Sequence, residues 1–237
     1  KRVKRNPIPP FTTSTLQQEA SRKLGFSAYK TMRIAQKLYE GISLNQETSG
    51  LITYMRTDGV QISQEAVKNV REFISDEYGK NYIPESPRYY KSKAANAQEA
   101  HEAIRPTNFA YSPKLISKYL DKDQLKLYDL IWKRTLSSQM SSAELDKTKV
   151  DIKSKDNSIT FRTNGSQIAF HGFLKVYKES FDEKTTSNEN DDDKLLPILN
   201  LNENLNLSKL ENEQHFTQPP ARYTDASLVK KMEELGI

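Results

Sequence analysis

Cysteine is absent from the 237 residues. That excludes disulfides, thiolate metal sites and cysteine nucleophiles, and it fits a reducing compartment. Histidine is scarce: His101, His171 and His215 stand far apart, without metal-ligand spacing. Aspartates paired as Asp-x-Asp, the usual magnesium clamp, occur only at Asp121 and Asp123 and in an acidic run at 191–193. Asp121 and Asp123 read as helix caps and the acidic run has no partner, so no metal site is expected in this chain. No apolar run reaches 18 residues, which excludes a membrane-spanning helix. The opening KRVKRNPIPPF is basic with no apolar stretch behind it, and is not a signal peptide. The chain starts within a charge run, without methionine. It stops at KKMEELGI, where a helix has just met its glycine, and so reads as an excised fragment.

What is present suits one large domain or two small ones, with a core that needs no covalent staple. Lys and Arg number 36 against 31 Asp and Glu, a net charge of +5. The excess is uneven: ten basic and four acidic residues in 1–60, then 19 and 20 in 111–237. A basic first part attracts phosphate backbones. Many proteins that bind no nucleic acid share that imbalance, so charge alone assigns no partner.

The first 140 residues are mostly helical in pattern. TSTLQQEASRKLGF carries Leu16, Ala20 and Leu24 on one face, with Thr13, Ser14 or Thr15 to cap it and Gly25 to stop it. SAYKTMRIAQKLYEG repeats the design, with Ser27 as cap, a stripe of Ala28, Met32, Ala35, Leu38 and Tyr39, and Gly41 as stop. Two short helices around a tight turn suggest a helix-turn-helix, a pattern shared by many domains that read no DNA. Ser63 caps a third helix, over ISQEAVKNVREFISDEYG, whose buried face is Val67, Val70, Phe73, Ile74 and Tyr78. NAQEAHEAIRPT predicts a brief helix, capped by Asn96 with Glu99 closing the box and Pro106 ending it. DQLKLYDLIWKRTLSSQM predicts a long one that buries Leu127, Ile131 and Leu136. Beyond it the chain alternates like a strand, with Asn164-Gly165 as hairpin signal. Residues 179–194 read as a polar loop, the apolar pieces of 194–216 as strands, and TDASLVKKMEELG as a last helix capped by Thr224.

The chemistry concentrates in LITYMRTDGV, residues 51–60. A tyrosine phenol ordinarily ionises near pH 10, so as a nucleophile it must lose its proton as it attacks. A nearby cation such as Arg56 favours the phenolate and also holds a non-bridging phosphate oxygen. Residues two apart in an extended segment share a side, so Tyr54 and Arg56 suit one phosphate. With 12 tyrosines in the chain, the bland alternative is a half-buried ring at a domain edge. On the expected helix, His101 and Arg105 are four apart and project from one face, a second cationic pair for a phosphate. Glu102 points elsewhere and suits a salt bridge.

LITYMRTD followed by QEAHEAIRPT resembles the active-site region of the type IA DNA topoisomerases, the bacterial topoisomerase I family. PFTTSTLQQEASRKLGFSAYKTMRIAQKLYEG resembles the run before that family's catalytic tyrosine. HFTQPPARYTDASLVKKMEELGI resembles the stretch leading into a later DNA-binding segment. These blocks follow the family's order and spacing and run through nearly the whole chain, most loosely over 141–210. One position departs: a serine is common after YMRTD, and here Gly59 follows.

The resemblance implies ATP-independent relaxation of negative supercoils, with one strand cut and resealed through a 5′-phosphotyrosyl link. It implies Tyr54 as nucleophile, Arg56 steadying Tyr54 and the scissile phosphate, His101 supporting phosphate binding, and Arg105 on the DNA backbone. It implies a multidomain α+β fold: a mainly helical tyrosine domain over 1–140, a strand-rich part of the family's arch over 141–210, and the start of a DNA-binding domain over 211–237. Magnesium is then held by a Toprim domain outside this chain, which acts as a partner within the same polypeptide. The other implied partner is DNA, preferentially single-stranded. The protein is expected as a cytoplasmic, nucleoid-associated monomer, off the membrane, and the isolated chain as inactive. The competing accounts are a helix-turn-helix DNA-binding module without chemistry, which requires base-edge contacts, and a structural helical domain with Tyr54 buried and inert.

Overall fold

Helices form where apolar residues recur every three or four positions behind a capping side chain. The computed structural model describes residues 1–44, 47–91, 101–179, 196–197, 199–214, 216–217 and 219–236. Its helices are α1 (Thr13–Leu24), α2 (Ala28–Glu40), α3 (Gln64–Tyr78), α4 (Pro113–Ile116), α5 (Lys122–Ser138) and α6 (Asp225–Leu235). Ser27, Ser63, Asp121 and Thr224 cap their helices as expected. The cap of α1 is Thr12, one residue before the three expected. Its hydroxyl oxygen accepts from the Thr15 N–H, and the Thr15 hydroxyl accepts from the Thr12 N–H. Two otherwise orphaned donors are thereby satisfied by one pair of threonines. Thr13 and Ser14 are left inside the first turn with hydroxyls available to other elements.

α1, α2 and α5 enclose a core that includes Phe11, Leu16, Leu38, Leu127, Tyr128 and Ile131, all fully buried. α2 turns Thr31 and Ile34 inward with Ala35 and Leu38. Its stripe is therefore rotated from the expected one, and Tyr39 stays 41% exposed. The Trp132 ring of α5 meets Phe73 of α3 edge-on at 5.2 Å, which seats α3.

The strands are β1 (Arg2–Arg5), β2 (Ile42–Leu44), β3 (Glu47–Ser49), β4 (Ala143–Lys153) and β5 (Thr160–Phe170). β2 and β3 pair antiparallel. β1, β4 and β5 form an antiparallel sheet in that order, with Arg2 opposite Asp146 and Thr148 opposite Gly165. β1 thus joins the first residues to the strand-rich part across position 140. Asn164-Gly165, expected as the turn, lies inside β5. The chain reverses over residues 154–159, where Asn157 adopts a left-handed φ of 58°. There the Asp156 carboxylate accepts from the Ser154 and Ser158 hydroxyls. Asp-Asn supplies the turn chemistry, and cross-strand pairing overrides the Asn-Gly signal. The strands expected over 194–216 are not present among the described residues there. Leu201 and Leu207 are exposed; without a partner strand an apolar segment has no ladder to join.

A buried polar network ties α1 to α5 and to the chain after β5. Glu19, 2% exposed, accepts from the Tyr177 hydroxyl at 2.6 Å and lies 3.4 Å from Lys23 Nζ. Arg134, also buried, donates Nε–H to the Pro9 carbonyl at 2.6 Å and lies 3.7 Å from Glu179. Its guanidinium stands 4.7 Å from the Phe11 ring centre and 5.2 Å from that of Tyr177. Burial drives the Tyr177 phenol well above its ordinary pKa, Arg134 opposing and Glu19 reinforcing.

Candidate active site

The segment 51–60 is neither helix nor ladder, so its backbone groups need partners elsewhere. Leu51 donates its N–H to Leu38 of α2 at 2.7 Å, and Thr53 to the Arg105 carbonyl at 2.9 Å. Thr57 donates to the Thr13 hydroxyl at 2.8 Å. Leu51, Ile52, Met55 and Thr57 are buried, Tyr54 is half-buried, and Arg56 and Asp58 are exposed. The alternation expected for Tyr54 and Arg56 is present: Met55 and Thr57 anchor the segment, and the two candidates face outward.

Tyr54 stands between two rings. Tyr39 lies edge-on with centroids 5.4 Å apart, and His101 lies tilted at 5.0 Å. The Tyr54 hydroxyl makes no hydrogen bond with any described residue. Other tyrosines differ: Tyr90 donates to the Ser138 carbonyl, Tyr128 to the Tyr111 carbonyl and Tyr177 to Glu19. Burial pushes the Tyr90 phenol up to about 12, the Arg88 and Arg134 charges opposing. Arg56 forms no ion pair or hydrogen bond with described residues either.

His101 reaches Tyr54 from a segment expected to be helical. The described part, residues 101–107, is irregular with two isolated bridges and no helix. Ile104 bridges to Phe11 and Pro106 to Ile52. Ala103 N–H donates to the Gln61 carbonyl, Ile104 N–H to Phe11 and Thr107 N–H to Leu51. These core contacts override a short helical pattern. Asn96 and Glu99, the expected cap and box, lie outside the described residues. His101 and Arg105 therefore do not share a helix face. Gly59 fits against this segment closely: a Cβ there would stand 2.3 Å from the His101 carbonyl oxygen. Glycine suits this crossing, which gives the departure at Gly59 a steric reason.

The DNA topoisomerase family model matches residues 1–237. This chain belongs to the bacterial DNA topoisomerase I family. It is 56% identical over 237 residues to a DNA topoisomerase 1 of Rickettsia bellii, covering all of this chain and 29% of that protein. It is 52% identical over 238 residues to one of Xylella fastidiosa, again covering 29% of the relative. The structure of full-length topoisomerase I from Thermotoga maritima matches with a TM-score of 0.75 at 37% identity, over all of this chain and 36% of that one. The chain thus spans about a third of the length of the relatives it matches. Its mixed helix-and-sheet architecture is the one expected from the resemblance.

In this family member the Arg105 side chain is engaged by its own segment. Its Nε–H donates to Glu102 Oε2 at 2.8 Å and an Nη2–H to Oε1 at 3.2 Å, while Nη1 donates to the Pro106 carbonyl. Glu102 Oε2 also accepts the Ser63 N–H at 2.9 Å, which fastens the segment to the start of α3. Burial alone would raise the Glu102 carboxyl, but the Arg105 and Ser63 hydrogen bonds and the guanidinium charge hold it below its ordinary pKa. Glu102 is the salt-bridge partner its type suggested. Four contributors went unrecognised in the sequence. Tyr39 was assigned to a buried stripe, and Thr13, Thr53 and Thr57 bear hydroxyls whose partners are distant in sequence. Thr53 donates to the Ala103 carbonyl at 2.7 Å and accepts the Arg105 N–H at 3.0 Å.

Among the described residues no cluster of three His, Asp or Glu side chains is arranged to hold a metal. Asp121 accepts the first N–H groups of α5, and Asp123 pairs with Lys30 at 2.7 Å. Asp121 is thus a cap as expected, whereas Asp123 is an ion-pair partner rather than a cap; the acidic run at 191–193 lies outside the described residues. Among the described residues no helix is long and apolar enough to cross a membrane.

Proposed function

We propose that the whole protein cuts and reseals one DNA strand through a covalent bond to Tyr54, and so relaxes negative supercoils without ATP. One observation carries this reading: a tyrosine whose hydroxyl has no hydrogen-bond partner among the described residues lies against the His101 ring, two residues from an exposed Arg56 that is likewise unpaired among the described residues. The Tyr54 oxygen attacks phosphorus and gives up its proton. The bond from phosphorus to the 3′ oxygen breaks, and that oxygen leaves as a hydroxyl once protonated. The 5′ phosphate stays on the tyrosine. Resealing is the reverse attack. One phosphoester replaces another at each step, so no nucleotide is consumed.

Arg56 supplies charge to a non-bridging oxygen as negative charge builds in the transition state. His101, against the Tyr54 ring, supports the phosphate or carries a proton. Arg105 contributes mainly by fixing the His101 segment, because its donors are engaged by Glu102 and Pro106; any contact with the DNA backbone is secondary. Magnesium belongs to the Toprim domain of the whole protein, and this chain alone does not complete the reaction. On this reading residues 1–140 carry the tyrosine, 141–210 are part of the arch and 211–237 begin a DNA-binding domain. The substrate is held single-stranded, largely through its phosphates, with steep salt dependence. The protein works as a monomer in the bacterial cytoplasm, on the nucleoid.

The test uses the full-length protein with magnesium and labelled single-stranded DNA, stopped with detergent. An adduct with the parent and none with Tyr54→Phe is the expected result. An adduct that survives Tyr54→Phe would refute the assignment.

A further inference from the structure

The geometry points to Thr13 as a positioning residue for Arg56, an inference that rests on the function proposed above. The Thr13 hydroxyl donates to the Met55 carbonyl at 2.8 Å, with the Thr57 carbonyl also in reach at 3.2 Å. The same oxygen accepts the Thr57 N–H at 2.8 Å. The Thr13 N–H donates to the Thr57 carbonyl at 2.9 Å. The carbonyl before Arg56 and both backbone groups of the residue after it therefore converge on one threonine. Arg56 itself is exposed and, among the described residues, is held by no partner of its own. The direction in which its side chain leaves the backbone is set by that clamp, and Tyr54 precedes the clamped Met55 by one residue.

Thr13 is free for this work because α1 is capped by Thr12 and Thr15. Its backbone is fixed by the first turn of a 12-residue helix, whose buried Leu16 and Ala20 anchor it in the core. The clamp is thus a rigid one. A hydroxyl is required because the site needs a donor and an acceptor at one atom. Valine matches the shape and supplies neither.

The experiment is single-turnover cleavage of labelled single-stranded DNA by the full-length protein with magnesium. Thr13→Val, Thr13→Ala and Thr13→Ser are compared, with thermal unfolding and DNA affinity measured on each. Thr13→Val and Thr13→Ala lower the cleavage rate about tenfold or more, since small misplacements at a reacting centre reach about a hundredfold. Affinity changes by less than about threefold, and Thr13→Ser recovers most of the rate. Rates are normalised to the folded fraction, so a destabilised variant still reports. The decisive step adds Arg56→Ala. If Thr13 acts through Arg56, Thr13→Val costs little more in that background. Wild-type cleavage by Thr13→Val, or a loss that carries undiminished into Arg56→Ala, overturns the inference. Tyr54→Phe in the same series separates the two claims: an adduct there sinks the nucleophile, whereas an inert Tyr54→Phe beside an active Thr13→Val sinks only the clamp.

Discussion

Replacing Glu102 by glutamine isolates what holds the His101 segment in place. The carboxylate accepts three hydrogen bonds, from Arg105 Nε and Nη2 and from the Ser63 N–H. Glutamine keeps one oxygen and turns an amide donor toward the guanidinium. At least one charge-assisted bond is lost, worth about 1.5–3 kcal/mol in general. The Arg105 side chain is 13% exposed and that of Glu102 is 37% exposed, so solvent screening reduces the figure to about 1–2 kcal/mol. At about 2–4 °C per kcal/mol for a chain of this size, Tm falls by about 2–8 °C at pH 7. The pH dependence has a definite sign. The folded carboxyl titrates below its unfolded value, so its stabilisation is complete above the ordinary carboxylate range. It is lost as pH falls through the depressed value. Thermal melts followed by circular dichroism from neutrality down to about pH 3 should show the gap between parent and variant closing on acidification. Equal Tm values at pH 7, or a gap that widens in acid, would refute the reasoning. Because the segment also carries His101, the full-length variant should form less Tyr54 adduct than the parent.

Two further outcomes follow from the same contacts. Tyr177→Phe removes the 2.6 Å donor to Glu19, a buried carboxylate; the urea midpoint should fall by the equivalent of about 1–3 kcal/mol with the m-value unchanged, and an unmoved midpoint would mean that Lys23 and Arg22, whose Nη1 lies 3.7 Å from the other Glu19 oxygen, suffice. Arg56→Ala should weaken single-strand binding and reduce the slope of log affinity against log salt by about 0.7, the share of one phosphate contact; parallel salt plots would take Arg56 off the DNA.

What the sequence made legible was local. α3 begins behind Ser63 and α5 behind Asp121, because an N-cap acts on donors two or three residues away. The helix expected through His101 looked equally local, with a cap signal before it and a proline after it. In its described part, residues 101–107, it gave way to a non-helical segment because Ile104 and Pro106 bridge to Phe11 and Ile52, from parts of the chain far from it. The Asn164-Gly165 signal failed the same way: β4 fixes those residues in a ladder, and the reversal falls to Asp156 and Asn157. The outward-facing side of Tyr54 and Arg56 was readable because two-residue alternation in an extended segment is local too. Tyr39 was not, since its partner is a ring 15 positions away in the chain and its helix face is shared with solvent.

That division explains how the candidate site is built. Residues 51–60 carry no regular structure, yet the N–H groups of Leu51, Thr53 and Thr57 end on Leu38, Arg105 and Thr13, three separate elements. A segment fixed through its backbone needs nothing from its outward side chains. Among the described residues, Tyr54 and Arg56 are therefore left with uncommitted polar atoms on a backbone tied at Leu51, Thr53 and Thr57. Reactive groups must be unspent to meet a substrate and rigid to meet it in one geometry, and side-chain bonds among themselves would supply only the second. The run TTST at 12–15 divides this labour at the level of single hydroxyls: Thr12 and Thr15 end the helix, Ser14 reaches Glu233 of α6 at 2.6 Å, and Thr13 holds the loop. Four similar side chains in a row look redundant as sequence. In the fold they divide among three places, the start of α1, α6 and the loop, because successive helix positions are turned by about 100°.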